Sequence, residues 1–192
     1  MELHPFFAGE LPTLCRISPG RYVFDVPRPK AVMPGSFNLL HDGHTQLARV
    51  AAVRLGHPVD FELSIQNVDK PNLTIDDVER RMSHFPEGMP LWLTRAATFE
   101  QKAKLFPNCT FVVGYDTAVR MLDLKYYAGE SELRERALRV LIECSCRFLV
   151  GGRVDASGAF QVWEVQDELF EGLTETEFRL DVSSTRLRQQ CQ

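Results

Sequence analysis

Two histidines are the residues of this sequence best suited to chemistry on an anion. His41 and His44 are separated by Asp42 and Gly43, and a spacing of three residues places both on one face of a helix. At a helix N-terminus, free backbone N–H groups and the positive end of the helix dipole attract an anion. Two imidazoles at such a position would donate hydrogen bonds to a phosphate, although a single histidine there is often only a polar cap.

The histidines end a loop that has the composition of a phosphate-binding segment. Residues 34–44 read PGSFNLLHDGH. Gly35 lets a backbone approach a ligand closely, and Ser36 and the amides after it can donate to phosphate oxygens. The compound motif favours a ligand site more strongly than either histidine does alone.

A run of hydroxyl residues near the end of the sequence predicts a second phosphate site. Ser183, Ser184 and Thr185 are consecutive, and such residues can cap a helix and hydrogen-bond a phosphate. Arg188 follows Ser184 by one helical turn, which would bring a guanidinium to the same anion. The alternative is an ordinary helix cap, because Ser and Thr are common there.

Two other segments after predicted strands carry candidate residues. Lys70 lies in residues 67–71, where its charge could stabilise a phosphate in transfer or simply be solvated. Gly114 and Asp116 follow a later strand, and Asp116 could contact a ligand, cap its helix, or do both. Trp92 lies in a short apolar strand, which indicates a core residue more than a stacking surface.

Short apolar runs alternate with amphipathic segments, and this pattern predicts the elements that would position these residues. We expect an α/β fold, a doubly wound Rossmann-like parallel sheet in a single domain, with ligands at the carboxyl ends of the strands. The predicted strands are residues 30–33, 59–65, 91–94, 110–113 and 147–150, and the predicted helices are 41–55, 99–106 and 131–144, with others opening near residues 74 and 116, a hairpin at 151–165 and a short helix near residue 184.

Local signals mark where three of the helices begin or end. Thr74 is followed after three positions by Asp77. Thr98 is followed by Gln101 in the same way. Both pairs match a capping box, in which two side chains satisfy free backbone donors at a helix start. Gly56 after the predicted helix 41–55 is a usual helix stop.

Composition bounds the function further. The chain has 192 residues and a formal net charge of −4, from 22 Lys and Arg against 26 Asp and Glu. This mild acidity argues against nucleic-acid binding, which depends on basic patches. No apolar run approaches the roughly 18 residues of a membrane helix, and the first residues lack a signal-peptide pattern. The five cysteines lack metal-binding or redox spacing, so we expect a cytoplasmic protein.

The two end motifs together resemble those of a known superfamily. Segment 35–44, GSFNLLHDGH, is similar to the first motif of the HxGH nucleotidyltransferase superfamily, and segment 182–188, VSSTRLR, to its second, I-S-S-T-x-x-R. Nicotinamide and nicotinate mononucleotide adenylyltransferases are the closest members, and phosphopantetheine adenylyltransferase and cytidylyltransferases also belong. The resemblance runs from about residue 30 to 188. One departure is Leu39–Leu40, where members usually have a proline.

The resemblance implies that AMP is transferred from ATP to a phosphorylated acceptor of the NAD pathway, nicotinamide or nicotinate mononucleotide, with release of pyrophosphate. It implies catalytic roles at the α-phosphate for His41, His44 and Lys70. Mg²⁺ would arrive with ATP, because no carboxylate cluster in the sequence marks a metal site. The residues that would bind ATP are Gly35, Ser36, Phe37, Gly43, Gly114, Asp116, Ser183, Ser184, Thr185 and Arg188.

Other interpretations stay open at this stage. The same scaffold could use CTP or another acceptor such as phosphopantetheine, or it could be a catalytically silent nucleotide-binding domain or an interaction module. Residues 1–29 would be an N-terminal extension, either with an edge strand at 21–26 or as the remnant of a linker, before a nucleotidyltransferase domain at 30–192. A homo-oligomer is also open.

Overall fold

A computed structural model describes residues 3–155, 157–164 and 167–179. The strands in these residues are β1 Thr13–Ser18, β2 Arg21–Val23, β3 Ala31–Pro34, β4 Asp60–Ser64, β5 Leu91–Thr94, β6 Thr110–Gly114, β7 Arg147–Gly151, β8 Arg153–Val154, β9 Phe160–Gln161 and β10 Phe170–Gly172. The helices are α1 His4–Phe7, α2 Asp42–Leu55, α3 Ile75–Met82, α4 Phe99–Leu105, α5 Tyr115–Leu122 and α6 Ser131–Glu143, with a 3₁₀ helix at Leu124–Tyr127.

The described strands build one large sheet and one small one. The large sheet has eight strands in the order β10-β7-β6-β3-β4-β5-β1-β2, and its neighbours are parallel from β10 through β5. The chain adds β4 and β5 on one side of β3 and then crosses to add β6, β7 and β10 on the other. This is the doubly wound Rossmann-like order, so the predicted α/β single-domain fold is confirmed.

Both faces of the large sheet are buried, which explains why its strands read as continuous apolar runs. Within β6, Val112 faces the core beneath α1, α2 and α3, whereas Phe111 and Val113 face the core beneath α4, α5 and α6. Each face thus has its own apolar cluster, and the alternation within a strand divides its side chains between them.

The predicted helix starts are confirmed in their atomic detail. The Thr74 hydroxyl accepts from the backbone N–H of Asp77 at 3.2 Å, and the Thr98 hydroxyl accepts from that of Gln101 at 3.4 Å. The reciprocal halves of both capping boxes are present. Gly56 ends α2 in the left-handed region, with φ of 72°. Caps of this kind contribute about 1 kcal/mol each.

The N-terminal residues extend the same sheet. The expected edge strand is present as β2, and it pairs antiparallel with β1, which pairs antiparallel with β5. Strand β1 was not predicted, because its sequence, TLCRIS, has a cation in its centre and no apolar alternation. Arg16 is nevertheless only 3% exposed and donates to the Phe85 carbonyl oxygen at 3.1 Å.

The C-terminal half of the prediction is partly confirmed. The hairpin is present, with β8 and β9 paired antiparallel apart from the large sheet. Strand β10 was missed, because three residues carry no readable period. The short helix expected near residue 184 lies outside the described residues. In the part of the chain with described structure, we find no helix with the length and apolarity needed to cross a bilayer.

A buried ion pair lies between the sheet and α4. Glu62 of β4 is fully buried, and the Lys102 Nζ donates to its two carboxylate oxygens at 2.7 and 2.8 Å. The Thr94 hydroxyl donates to the same carboxylate. These contacts satisfy the charges that burial would otherwise penalise heavily.

Candidate functional site

The loop of residues 34–44 follows the carboxyl end of β3. At this strand the chain changes the side of the sheet on which it adds strands. Strand β3 pairs with β4 on one side and β6 on the other. The loop therefore lies at the topological switch point, beside the start of α5 after β6. Ligands of doubly wound sheets bind in this crevice.

The two histidines form a reciprocal cap at the start of α2. The Nδ1 atom of His41 accepts from the Gly43 backbone N–H at 3.1 Å, and the Nδ1 atom of His44 accepts from the His41 backbone N–H at 3.4 Å. The rings stack, with centroids 3.8 Å apart and planes 27° from parallel. Since each Nδ1 is an acceptor, the hydrogen-bond pattern assigns the proton of each neutral ring to Nε2.

His44 is held in its neutral form at physiological pH. Burial, and secondarily the charge of the neighbouring His41, lowers the pKa of His44 to about 4. A neutral ring can still donate through Nε2. The pair therefore offers an anion two N–H donors without requiring two adjacent positive charges.

Phe37 anchors the loop in the core. Its ring is buried, at 1% exposure, and meets the rings of Phe61, Phe85 and His44 at centroid distances of 5.4, 5.3 and 5.1 Å. Its φ of 39° is a left-handed conformation that costs roughly 1–2 kcal/mol for a residue with a Cβ. The ring assigned to ATP binding is thus a core group, and only the backbone of Phe37 could contact a ligand.

Gly35 is required by this packing. A Cβ at Gly35 would lie 2.5 Å from the Phe37 ring, closer than any van der Waals contact. Its backbone N–H donates to the Glu62 carbonyl oxygen of β4 at 2.9 Å. We expected Gly35 to let a ligand approach the backbone, but the Phe37 ring occupies the space beside it.

Two arginines of α3, which were not predicted as site residues, donate hydrogen bonds to the loop of residues 34–44. Arg81 donates to the Ser36 carbonyl oxygen at 2.5 Å. Arg80 donates to the Asn38 side-chain oxygen at 3.0 Å and to Asp77 at 2.7 Å. Burial lowers the pKa of the Arg81 guanidinium from its ordinary value. Basic residues are common in the last turn of a helix, so the presence of two arginines there did not by itself indicate a contact with the loop.

The start of α5 forms the other side of the crevice. Gly114 is the N-cap residue, so the interpretation of Asp116 as the helix cap is wrong. A Cβ built at Gly114 would meet no atom within 4 Å from the described residues beyond its chain neighbours. Asp116 instead forms an ion pair with Arg153 of β8, a partner that sequence reasoning missed because it depends on how the hairpin folds back.

Two further predicted residues, Lys70 and Trp92, lie within the described structure, whereas the second phosphate motif does not. Lys70 is exposed, in a loop that is held by the 2.5 Å ion pair of Asp69 with Arg120 of α5. Trp92 is a core residue, as expected, and donates to the Asp60 carboxylate at 2.9 Å. The second phosphate motif lies outside the described residues, and its members are Ser183, Ser184, Thr185 and Arg188.

A cavity of about 740 Å³ lies among α4, α5, α6 and the 3₁₀ helix. Val68, from the loop that carries Lys70, also lines it, so the cavity borders the carboxyl edge of the sheet. Across the residues with described positions, no group of three or more His, Cys, Asp or Glu side chains is arranged to hold a metal ion.

No model of a known protein family matches the chain, and no curated protein sequence matches it significantly. The geometry of the crevice and the resemblance of the two motifs are therefore the basis for interpreting function.

Proposed function

We propose that this protein is a nucleotidyltransferase that moves AMP from ATP to a phosphorylated acceptor, nicotinamide or nicotinate mononucleotide, and releases pyrophosphate. The observation that carries the proposal is the stacked pair of His41 and His44, capped through Nδ1, at a helix start on the switch point of the sheet. This is where a doubly wound fold binds a nucleotide, and imidazole N–H groups at a helix start suit a phosphate.

In the proposed reaction an oxygen of the acceptor's phosphate attacks the α-phosphorus of MgATP. A new P–O bond forms, the bond to the β-phosphate oxygen breaks, and pyrophosphate leaves with that electron pair. The attacking oxygen is already ionised, so no general base is needed. The protein contributes position and charge stabilisation.

The histidines would act on the α-phosphate as fixed donors. The Nε2–H groups of His41 and His44 would hydrogen-bond the oxygens on which charge accumulates in the transition state. Because the loop is tied to α3 through Arg80 and Arg81, these donors are in place before the substrate binds. Such preorganisation avoids reorganisation during the reaction.

Positive charge would come from the loop after β4 and from the second motif. Lys70 is exposed and free to follow the phosphates as a flexible point charge. By the resemblance, Ser184, Thr185 and Arg188 would hold the departing pyrophosphate. Mg²⁺ bound with ATP would neutralise charge between the phosphates.

The test is pyrophosphate release from MgATP with three acceptors in parallel, nicotinamide mononucleotide, nicotinate mononucleotide and phosphopantetheine, with mass detection of products. A dinucleotide formed with one mononucleotide supports the proposal. ATP binding without product from any acceptor would contradict it in favour of a silent nucleotide-binding domain. A thermal-shift comparison of ATP with CTP tests the nucleotide separately, because the bound nucleotide stabilises the folded state.

A further inference from the structure

The three loops that follow β3, β4 and β5 are hydrogen-bonded to two residues, Glu62 and Thr94. The Gly35 N–H, in the loop of residues 34–44, donates to the Glu62 carbonyl oxygen at 2.9 Å, and the Ile65 N–H donates to the Thr94 carbonyl oxygen at 2.9 Å. The Ala96 N–H donates to the Thr94 hydroxyl at 3.3 Å. Because these three strands are parallel, the loops start from one edge of the sheet, the edge that carries the proposed nucleotide crevice.

A buried side-chain contact joins Glu62 to Thr94 across β4 and β5. The Thr94 hydroxyl donates to the Glu62 carboxylate, and both residues are 0% exposed. Lys102 of α4 donates to the same carboxylate from Nζ at 2.7 and 2.8 Å. A carboxylate has no hydrogen to donate, so the Thr94 hydroxyl gives its hydrogen to Glu62 and keeps its lone pairs for the Ala96 N–H. Both hydrogen bonds of this hydroxyl therefore have a fixed direction.

The loop of residues 65–73 carries Lys70, and Ile65 forms its base. The Ile65 N–H is bonded to Thr94, and the Ile65 carbonyl oxygen accepts from the Leu73 N–H at 2.8 Å. Both ends of this loop thus meet at Ile65, one hydrogen bond away from Thr94. Lys70 is exposed, so the position of the loop backbone decides where its ammonium group can reach.

Stability does not by itself explain why an ion pair lies at this place. Apolar residues of similar volume often replace a buried ion pair without loss of stability, so Glu62 and Lys102 are not needed merely to fill the core. They are linked instead, through Thr94 and Gly35, to the bases of the loops that carry the proposed phosphate-binding groups. Such groups depend on supporting hydrogen bonds, because a displacement of about 1 Å can reduce a rate about a hundred-fold.

We propose that Thr94 is a positioning residue of the nucleotide site. Held by Glu62 and Lys102, it fixes the loop that carries Lys70 against the loop of residues 34–44, so that the lysine and the two histidines reach the same phosphates. Thr94 is buried and touches no substrate in this role. The proposal rests on the proposed nucleotidyltransferase function and deepens it by adding the contacts that align its charged groups before the nucleotide binds.

A double-mutant cycle on the full chain tests this role with a non-cleavable ATP analogue and Mg²⁺, whose affinity is measured by calorimetric titration. In the wild-type chain, Lys70→Ala should weaken binding about ten-fold, the effect of losing one charged hydrogen bond. With Thr94→Val, which removes the hydroxyl, Lys70→Ala should weaken binding less than about two-fold, because Lys70 no longer reaches the phosphates. Thr94→Ser keeps the hydroxyl and is the matched control, so Lys70→Ala should again weaken binding about ten-fold.

A second variant keeps the test independent of how Thr94→Val folds. Glu62→Leu with Lys102→Met removes the acceptor of the Thr94 hydroxyl together with both charges, a replacement that buried ion pairs often tolerate. The effect of Lys70→Ala should be reduced in this variant as well. Urea denaturation of each variant measures the contribution to stability separately.

Two results would overturn the positioning role: an undiminished effect of Lys70→Ala in either altered chain, whatever its stability, or no effect of Lys70→Ala in the wild-type chain. The binding cycle separates this role from the reaction itself. The expected coupling, without pyrophosphate release in the presence of the acceptors, would keep the role of Thr94 and reject the transferase. Pyrophosphate release without the coupling would keep the transferase and reject the role of Thr94. No binding of the analogue by the wild-type chain would reject both.

Discussion

The imidazole rings of His41 and His44 lie stacked at 3.8 Å, and each ring accepts a backbone N–H through Nδ1. The residues that would bind phosphate are thus the same residues that cap α2. Because each Nδ1 accepts a capping hydrogen bond, the proton of each neutral ring lies on Nε2. The hydrogen bonds that cap α2 therefore also orient the two imidazole rings.

The first prediction concerns catalysis by this pair. His44→Ala removes one fixed donor to the α-phosphate, and we expect turnover to fall by about two orders of magnitude or more while the fold persists. Steady-state pyrophosphate release and circular dichroism measure the two quantities. His57→Ala, at a half-buried histidine beyond α2, is the control and should leave turnover unchanged. Unaltered turnover in the His44→Ala variant would contradict the mechanism.

The second prediction concerns stability in acid. The pKa of His44 is about 4 in the folded chain and near 6.5 when unfolded, so the unfolded chain binds the proton first as the pH falls. The contribution of the neutral His44 ring to the free energy of unfolding is fully present above about pH 6.5. It should decline by up to about 3 kcal/mol as the pH falls to about 4.

Urea denaturation at pH 7 and pH 4 measures this change. His44→Gln is the reference, because glutamine keeps a capping-box acceptor and does not titrate. The wild-type chain should lose more stability than the variant over this interval. Equal losses would mean that other groups account for the acid sensitivity.

The third prediction separates two glycines of the crevice. Gly35→Ala should destabilise the chain by about 1–3 kcal/mol, because the new methyl group meets the Phe37 ring. Gly114→Ala has open space and should cost less than about 1 kcal/mol. Because the methyl group would lie at the proposed nucleotide crevice, we expect Gly114→Ala to weaken ATP binding about ten-fold. Denaturant midpoints and ATP titrations distinguish the two effects, and the reverse pattern would contradict the packing argument.

The fourth prediction concerns the buried ion pair. Lys102→Met leaves Glu62 without its cation and should cost about 3–5 kcal/mol of unfolding free energy. Adding Glu62→Gln should recover at least about 2 kcal/mol of this, since the amide is neutral and can still accept from Thr94. Urea denaturation measures both. Lys104→Met, at an exposed position of the same helix, should change stability by less than about 0.5 kcal/mol.

Local patterns predicted the features that depend on neighbouring residues. The capping pairs of Thr74 with Asp77 and of Thr98 with Gln101 form as expected, because each joins residues three positions apart. The spacing of His41 and His44 likewise predicted that both would lie at one helix start. The buried strands were readable because burial on both faces leaves a continuous apolar run.

Features that join distant segments could not be predicted in this way. Glu62 and Lys102 are separated by 40 positions, and each would be assigned to the surface from its type alone. The brace of Arg81 on Ser36 spans 45 positions. The cavity is a product of helix packing, and its cations gave no signal in sequence because they come from three separate helices.

The position of β1 in the sheet has a consequence for how the chain is made. Its residue Arg16 aligns with Tyr22 of β2 and with Leu91 of β5. During synthesis at about 5–20 residues per second, the β2 partner emerges at once, whereas β5 follows only after several seconds. A two-stranded ribbon is at best marginally stable. One edge of β1 therefore stays unpaired in the nascent chain until β5 has been synthesised, and the sheet can be completed only after that.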